Sequence, residues 1–169
     1  PNVVSPFDKQ ATEAALRLKD KHNGEVFVLS LGHNLEPSVL RDPLAMGADE
    51  LVFIDDHVFA DGDVWMTAYG LAAAAHKIGN YDIIFTGRQD SETDAGQVGT
   101  CIAKILGIPC VTVAKKIEVA ADGHVTIERV TDDGHEVVTV DLPVVVTVSN
   151  ELGEPRYPTV KQTMKARKI

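Results

Sequence analysis

Over the first two-thirds of the chain the apolar positions alternate between two rhythms. Phe7, Ala11, Ala14, Ala15 and Leu18 recur every three to four residues, the spacing of one helix face, and Ser5-Pro6 ahead of them supplies a cap and a first-turn proline. Asn23-Gly24 closes that helix, and residues 25–31 (EVFVLSL) read as a buried strand stopping at Gly32. The same reading predicts a second helix over residues 36–46 closed by Gly47 and a strand over 51–54. An alanine-rich third helix over 64–78, a strand over 81–86 and a fourth helix over 95–106 follow. Strands separated by helices of this length predict parallel βαβ units with right-handed crossovers.

After Pro109 the rhythm becomes β-rich. Runs over 111–119, 125–130 and 136–140 are divided by Asp122-Gly123 and Asp133-Gly134, which are hairpin signals, and residues 142–148 (LPVVVTV) read as a further buried strand. Glu154-Pro155-Arg156-Tyr157-Pro158 excludes regular helix, and Lys161, Lys165, Arg167 and Lys168 give an acidic chain a basic end. The predicted organisation is an α/β domain over 1–149, with a β-meander at 111–149, and an extended basic tail over 150–169.

Composition narrows the function. With 169 residues, 44% of them hydrophobic, the chain can bury one real core. Its 16 Lys plus Arg against 25 Asp plus Glu, a net charge of −9, argue against non-specific binding to nucleic acid or to an anionic membrane. No apolar run approaches the roughly 20 residues of a membrane-spanning helix, and residues 1–8 lack the layout of a signal peptide. Cys101 and Cys110 have neither framework nor CxxC spacing, so a reduced, cytoplasmic setting is expected. The chain opens Pro1-Asn2-Val3 without an initiator Met and enters a helix almost at once, which fits a fragment.

In open α/β sheets ligands bind beyond the carboxyl ends of the strands. Here the ends are Ser30-Leu31-Gly32, Asp55-Asp56 and Thr86-Gly87-Arg88, the last leading into Gln89, Asp90, Ser91, Glu92, Thr93, Asp94, Ala95, Gly96, Gln97, Val98 and Gly99. A helix start with flanking glycines offers backbone amides and a positive dipole end to a phosphate, and Arg88 adds a guanidinium fork. The bland alternative is that Asp94 caps the helix and the glycines pack against the sheet. Asp90, Glu92 and Asp94 also invite a calcium reading, but Ala95 and Cys101 stand where an EF-hand has Gly and Glu. His57 beside Asp55 and Asp56 is the one cluster resembling acid–base machinery, solvated charge being the plainer reading. There is no GxSxG elbow and no HExxH among the six histidines, and Cys101, Trp65 and Met66 read as packing residues. A carboxylate–metal hydrolase and a free-standing adenine-nucleotide sensor stay open on these residues.

Four segments together resemble the beta subunit of electron transfer flavoproteins. They are Ser5-Pro6-Phe7-Asp8 with its helix, Leu44-Ala45-Met46-Gly47-Ala48-Asp49, the loop from Gly87-Arg88-Gln89 to Gln97-Val98-Gly99, and the stretch from Leu142-Pro143 through Asn150 and Glu154-Pro155-Arg156-Tyr157-Pro158 to Met164-Lys165-Ala166-Arg167-Lys168. The resemblance implies a Rossmann-like three-layer sandwich of the adenine nucleotide alpha hydrolase type. It implies pairing with an alpha subunit that carries most of the hold on an FAD, and electrons arriving from a flavin-containing dehydrogenase such as an acyl-CoA dehydrogenase. The beta subunit is then an electron carrier's partner rather than an enzyme, with no catalytic residue and no metal. It holds AMP in conventional members and a second, redox-active FAD in electron-bifurcating ones.

By the same resemblance Ser5, Pro6, Phe7, Asp8 and Leu31 line the adenosine. Gly87, Arg88, Gln89, Asp90, Thr93, Asp94, Ala95, Gly96, Gln97, Val98 and Gly99 carry ribose and phosphate. The chain departs from the family pattern in having Ser5 for a usual Asn and the acidic pair Asp90-Ser91 for an apolar one. The family's first strand, placed mid-sheet, is expected ahead of Pro1, and its C-terminal arm after Ile169.

Overall fold

In the computed structural model the described residues are 4–89 and 95–166. Helix α1 (Pro6–His22) starts as its sequence dictates. Ser5 Oγ accepts the Phe7 amide at 3.2 Å, Pro6 occupies the first turn, and Asn23 closes the helix in the left-handed region at φ 54°. Strand β1 (Phe27–Gly32) follows and pairs in parallel with β2 (Glu50–Asp55). Between them the expected single helix over 36–46 is two short ones, α2 (Pro37–Leu40) and α3 (Asp42–Met46). Pro43 is the reason, because a proline lacks the amide that would carry a helix through that point and suits a new first turn.

Helix α4 (Val64–Ile78), capped by Asp63 on the Met66 amide at 2.8 Å, leads into β3 (Ile83–Gly87), and α5 (Val98–Leu106) into β4 (Cys110–Val119). The hairpin dipeptides deliver antiparallel β5 (His124–Thr131) and β6 (Gly134–Asp141), and β7 (Val144–Val148) returns to the parallel sheet. The larger sheet runs β3-β7-β4-β5-β6, and β1-β2 form a separate pair.

The wholly buried β7 sets the layers. Val145 packs with Ala68, Ala72, Ile102 and Ala103 from α4 and α5. Val144 and Val146 pack with Val125 and Ile127 of the meander, and Val148 with Ala11 and Ala14 of α1. The chain is thus the three-layer α/β fold expected. Strand β4 belongs to both halves through a bulge between Val111 and Ala114. At the bulge Val113 sits at φ +60° and donates its amide to Thr147 Oγ1 at 2.9 Å, while Arg129 binds the Thr112 carbonyl and hydroxyl at 3.1 and 2.9 Å.

Between β1 and β3 lies a cavity of about 1010 Å³. Consecutive residues of both strands, Phe27 to Leu31 and Ile83 to Gly87, border it, so the strands meet it with their edges rather than with one face. Helices α1 and α4 close its two sides.

Two further expectations are corrected. Trp65 and Met66, read as packing residues, stand outward at 53% and 39% exposure, because the buried stripe of α4 is Ala68, Ala72 and Ala75 and begins a turn later. Residues 160–166, read as extended, form helix α6 (Val160–Ala166), which packs on α3 through the buried Ala166.

Candidate functional site: a glycine cradle at the end of β3

Three chain segments converge at the carboxyl end of β3. Gly87 lets the first turn of α1 come close, since a Cβ there would meet Phe7 Cβ at 2.7 Å and Asp8 Oδ1 at 3.1 Å. Arg88 continues the ladder to β7, donating its amide to the Val148 carbonyl at 3.2 Å. Its guanidinium lies 5.4 Å from the centroid of the Phe7 ring, and its Nε donates to Gln89 Oε1 at 3.1 Å. The cation is thus held by Phe7 of α1 and by its neighbour Gln89.

Helix α5 brings the third segment. It begins at Val98, three residues later than the spacing suggested, because Gly96 sits at φ +60°, where a right-handed helix cannot continue. The residue ahead of the helix is Gln97, which makes no side-chain capping bond to the first-turn amides. Gly99 is buried against the sheet, and a Cβ on it would lie 2.5 Å from Thr86 Oγ1 and 2.7 Å from Thr147 Cγ2. Thr86 Oγ1 itself is buried and has no hydrogen-bond partner among the described residues.

Of the residues expected at the site, Asp8, Leu31, Gly87, Gln89, Gly96, Gln97 and Val98 border the one cavity described above. Phe7 and Arg88 stack on each other, Ser5 caps α1, Pro6 is exposed in the first turn, and Gly99 lies beneath Thr86. Ala95 is described and half-buried. Asp90, Thr93 and Asp94 fall outside the described residues, and with them the calcium reading and the Asp94 cap. Thr86 is the site residue that the sequence reading did not single out. Its signal was its place as the last side chain before the Gly87 turn.

The second cluster, at the ends of β1 and β2, is more open. The His33 and His57 rings meet edge-on at 5.1 Å, and His33 Nδ1 lies 3.8 Å from Asp55 Oδ1, with both histidines exposed. The Asp55 carboxylate is spent on the Asn34 and Leu35 amides at 2.9 and 3.1 Å, which is a turn-building role. Among the described residues no three Cys, His, Asp or Glu come together in a way that could hold a metal ion. No helix among them is long and apolar enough to cross a membrane.

What this end of the sheet offers chemically is a site for an anion. The amides at the α5 start, a glycine cradle that a Cβ would fill and a guanidinium suit a phosphate.

Comparison with known proteins places the chain in a family. The family model described as "Electron transfer flavoprotein domain" matches residues 1–169. The chain is 43% identical to the electron transfer flavoprotein subunit beta of Thermoanaerobacterium thermosaccharolyticum over 95% of its own length and 61% of that protein's. It is 40% identical to subunit CarD of the caffeyl-CoA reductase–Etf complex of Acetobacterium woodii, over 98% of this chain and 63% of the relative. It is 39% identical to protein FixA of Azorhizobium caulinodans, over 98% and 61%. The chain thus spans a little over three-fifths of the length of these relatives. A cradle at the strand ends, a three-layer α/β core and these matches lead to one statement: the chain belongs to the electron transfer flavoprotein family, on the side of its beta subunits.

Proposed function

We propose that this chain is the nucleotide-holding core of the beta subunit of a heterodimeric electron transfer flavoprotein, binding AMP as a structural ligand. The observation that supports this is the cradle itself, an α5 start that Gln97 leaves without a side-chain cap, with Gly96 and Gly99, Arg88 over Phe7, and a buried Thr86 hydroxyl that has no partner among the described residues. Arg88 and the amides of Gln97 and Val98 would take the phosphate. Asp8 and Leu31, on the opposite wall, would face the nucleoside.

AMP supplies no redox chemistry. In this reading the chain makes and breaks no bonds; it stiffens the strand ends against which an alpha subunit presents its FAD. A flavin-containing dehydrogenase, an acyl-CoA dehydrogenase for instance, supplies the electrons, and the complex works in the cytoplasm. The basic tail faces the alpha subunit.

The cavity between β1 and β3 has the outline of a strand position. Both bordering strands turn unpaired edges to it, and an extended apolar segment of about five residues would join the two sheets into one. Asp8 and Val4 border the same cavity, so a strand lying there would run directly into α1 and complete a βαβ unit.

A second reading has a specific support. Relatives at 40% and 37% identity are named as subunits of the caffeyl-CoA reductase–Etf complex and as an acryloyl-CoA reductase electron transfer subunit. Here the same cradle would hold the ADP portion of a second FAD, and that flavin would itself carry electrons. Denaturing the assembled complex and identifying the released molecules by mass spectrometry separates the two. One FAD and one AMP per heterodimer supports the conventional carrier, and two FAD without AMP supports the second reading. Finding no adenine nucleotide would overturn both.

A further inference from the structure

Strand β4 meets β7 through a bulge that sets one residue against two. Val111 lies opposite Val146 and Ala114 opposite Val148, so Thr112 and Val113 together face Thr147 alone. Val113 takes φ +60°, a left-handed backbone that a β-branched residue seldom adopts and that persists only where its surroundings over-determine it. They do so here at three consecutive residues. Arg129 Nε donates to the Thr112 carbonyl at 3.1 Å, and Arg129 Nη2 to the Thr112 hydroxyl at 2.9 Å. The Val113 amide donates to Thr147 Oγ1 at 2.9 Å, and the Ser149 amide to the Ala114 carbonyl at 2.8 Å.

The same threonine is part of the floor beneath α5. Thr147 pairs with Thr86 across β7 and β3, and both side chains lie against Gly99. Thr147 approaches that glycine through its methyl group, since a Cβ on Gly99 would lie 2.7 Å from Thr147 Cγ2. A threonine carries both branches on one stiff χ1 angle. Fixing the hydroxyl on the Val113 amide therefore fixes the methyl as well, and with it the height at which the first turn of α5 rests on the sheet. Gly96, Gln97 and Val98 border the cavity, whereas Thr147 is 2% exposed and acts through the helix rather than on a ligand.

We propose that Thr147 is a positioning residue for the nucleotide: its hydroxyl, held by the strained Val113 amide, turns its methyl toward Gly99 and so sets the amides at the α5 start that would take the phosphate. The proposal rests on the reading that the cradle holds AMP. It makes the affinity of the site depend on a bulge in β4, two strands away from the β3 end where the ligand sits. A threonine that only supported the fold would lower the Tm when altered and leave the Kd of the folded protein where it was.

The test uses the full chain assembled with its alpha partner, freed of nucleotide and titrated with AMP by isothermal calorimetry at a temperature where every variant is folded. Thr147→Val keeps a methyl and removes the acceptor, and Thr147→Ser keeps the acceptor and removes the methyl. Val144→Ala opens a cavity on the meander side of the same strand and is the control for lost stability. For Thr147→Val at least fivefold weaker AMP binding is expected, with at least tenfold faster exchange of the Cys101 amide, which closes the first turn on the Gln97 carbonyl. Val144→Ala is expected to bind within twofold of the parent. Thr147→Ser should also rescue Gly99→Ala, because the carbon at 2.7 Å is gone while the bulge keeps its acceptor. The double variant is expected to bind AMP at least threefold more tightly than Gly99→Ala alone. If Thr147→Val fails to fold, the rescue decides. A parent complex that takes up no AMP overturns the reading of the cradle, and the proposal with it. With a parent that binds, three results each overturn the role of Thr147 alone: Thr147→Val within twofold of the parent, Val144→Ala weakened as much, or Gly99→Ala unrelieved by Thr147→Ser.

Discussion

Replacing Gly99 with alanine puts one methyl group where the cradle is tightest. The new carbon would lie 2.5 Å from Thr86 Oγ1 and 2.7 Å from Thr147 Cγ2. The Thr86 hydroxyl is unpartnered among the described residues and can turn away at small cost. Thr147 cannot, because it is 2% exposed and its Oγ1 accepts the Val113 amide at 2.9 Å, so rotating it would strand a bulge amide already set at φ +60°. The helix start must move instead. Overpacking of this kind costs about 1–3 kcal/mol, and alanine returns about 1 kcal/mol of helix propensity, leaving a net loss of up to about 2 kcal/mol. For a chain of this size that is a fall of up to about 8 °C in Tm. The same shift displaces the α5 amides, so, on the proposed AMP reading, the stabilisation by added AMP should shrink from the roughly 2.7 kcal/mol expected at a hundredfold excess over Kd. Differential scanning calorimetry of parent and Gly99→Ala, each with and without AMP, reads both quantities. A variant as stable as the parent with the full AMP-induced rise would refute the account of the cradle.

Arg88→Ala removes a charge-assisted contact worth about 1.5–3 kcal/mol and should weaken AMP binding roughly 10- to 150-fold by isothermal calorimetry, and an unchanged Kd would take Arg88 out of the site. Burial alone would push the Glu13 carboxyl up, but hydrogen bonds from Arg156 and Arg17 outweigh it and hold it below its ordinary value of 4.5. It therefore contributes stability that is complete above about that pH and is lost as pH falls through the lower folded value. An acid titration of urea midpoints should show a drop below pH 4.5 that is diminished in Glu13→Gln, and identical curves would take its charge out of the account. Burial pushes the Cys110 thiol up, partly offset by Arg129, so iodoacetamide at pH 7.5 should label Cys110 far more slowly than a free thiol, checked by peptide mass mapping.

What could be read from the chain and what could not divides along physical lines. Residues 64–78 were legible to the residue because Asp63 and Gly79 mark both ends of an alanine-rich run that nothing interrupts. Both hairpins followed from their Asp-Gly turns. Helix boundaries slipped where backbone geometry overrode the apolar rhythm, at Pro43 and at Gly96. Helix α6 had a signal that the pair of prolines before it masked. Thr159 and Gln162 form a capping box, the Thr159 amide on Gln162 Oε1 at 2.8 Å and the Gln162 amide on Thr159 Oγ1 at 3.3 Å. The glycines and Arg88 of the cradle were visible as a motif, whereas Thr86 mattered only once the packing of Gly99 above it was known. The bond from Glu13 to Arg156 joins residues 143 apart, and no local pattern in either segment announces it.

The split between β1 and β3 has a consequence for how this chain behaves in a test tube. Among the described residues the two sheets end in four strand edges, on β1, β2, β3 and β6, where a single continuous sheet would end in two. Strand edges are templates for pairing with another molecule. A net charge of −9 opposes such pairing by mutual repulsion, and that protection has a range. It reaches about 10 Å at 0.1 M salt and about 3 Å at 1 M. Handled alone, the chain is best kept dilute and at low ionic strength, because salt removes the barrier that stops one molecule's open edge from finding another's.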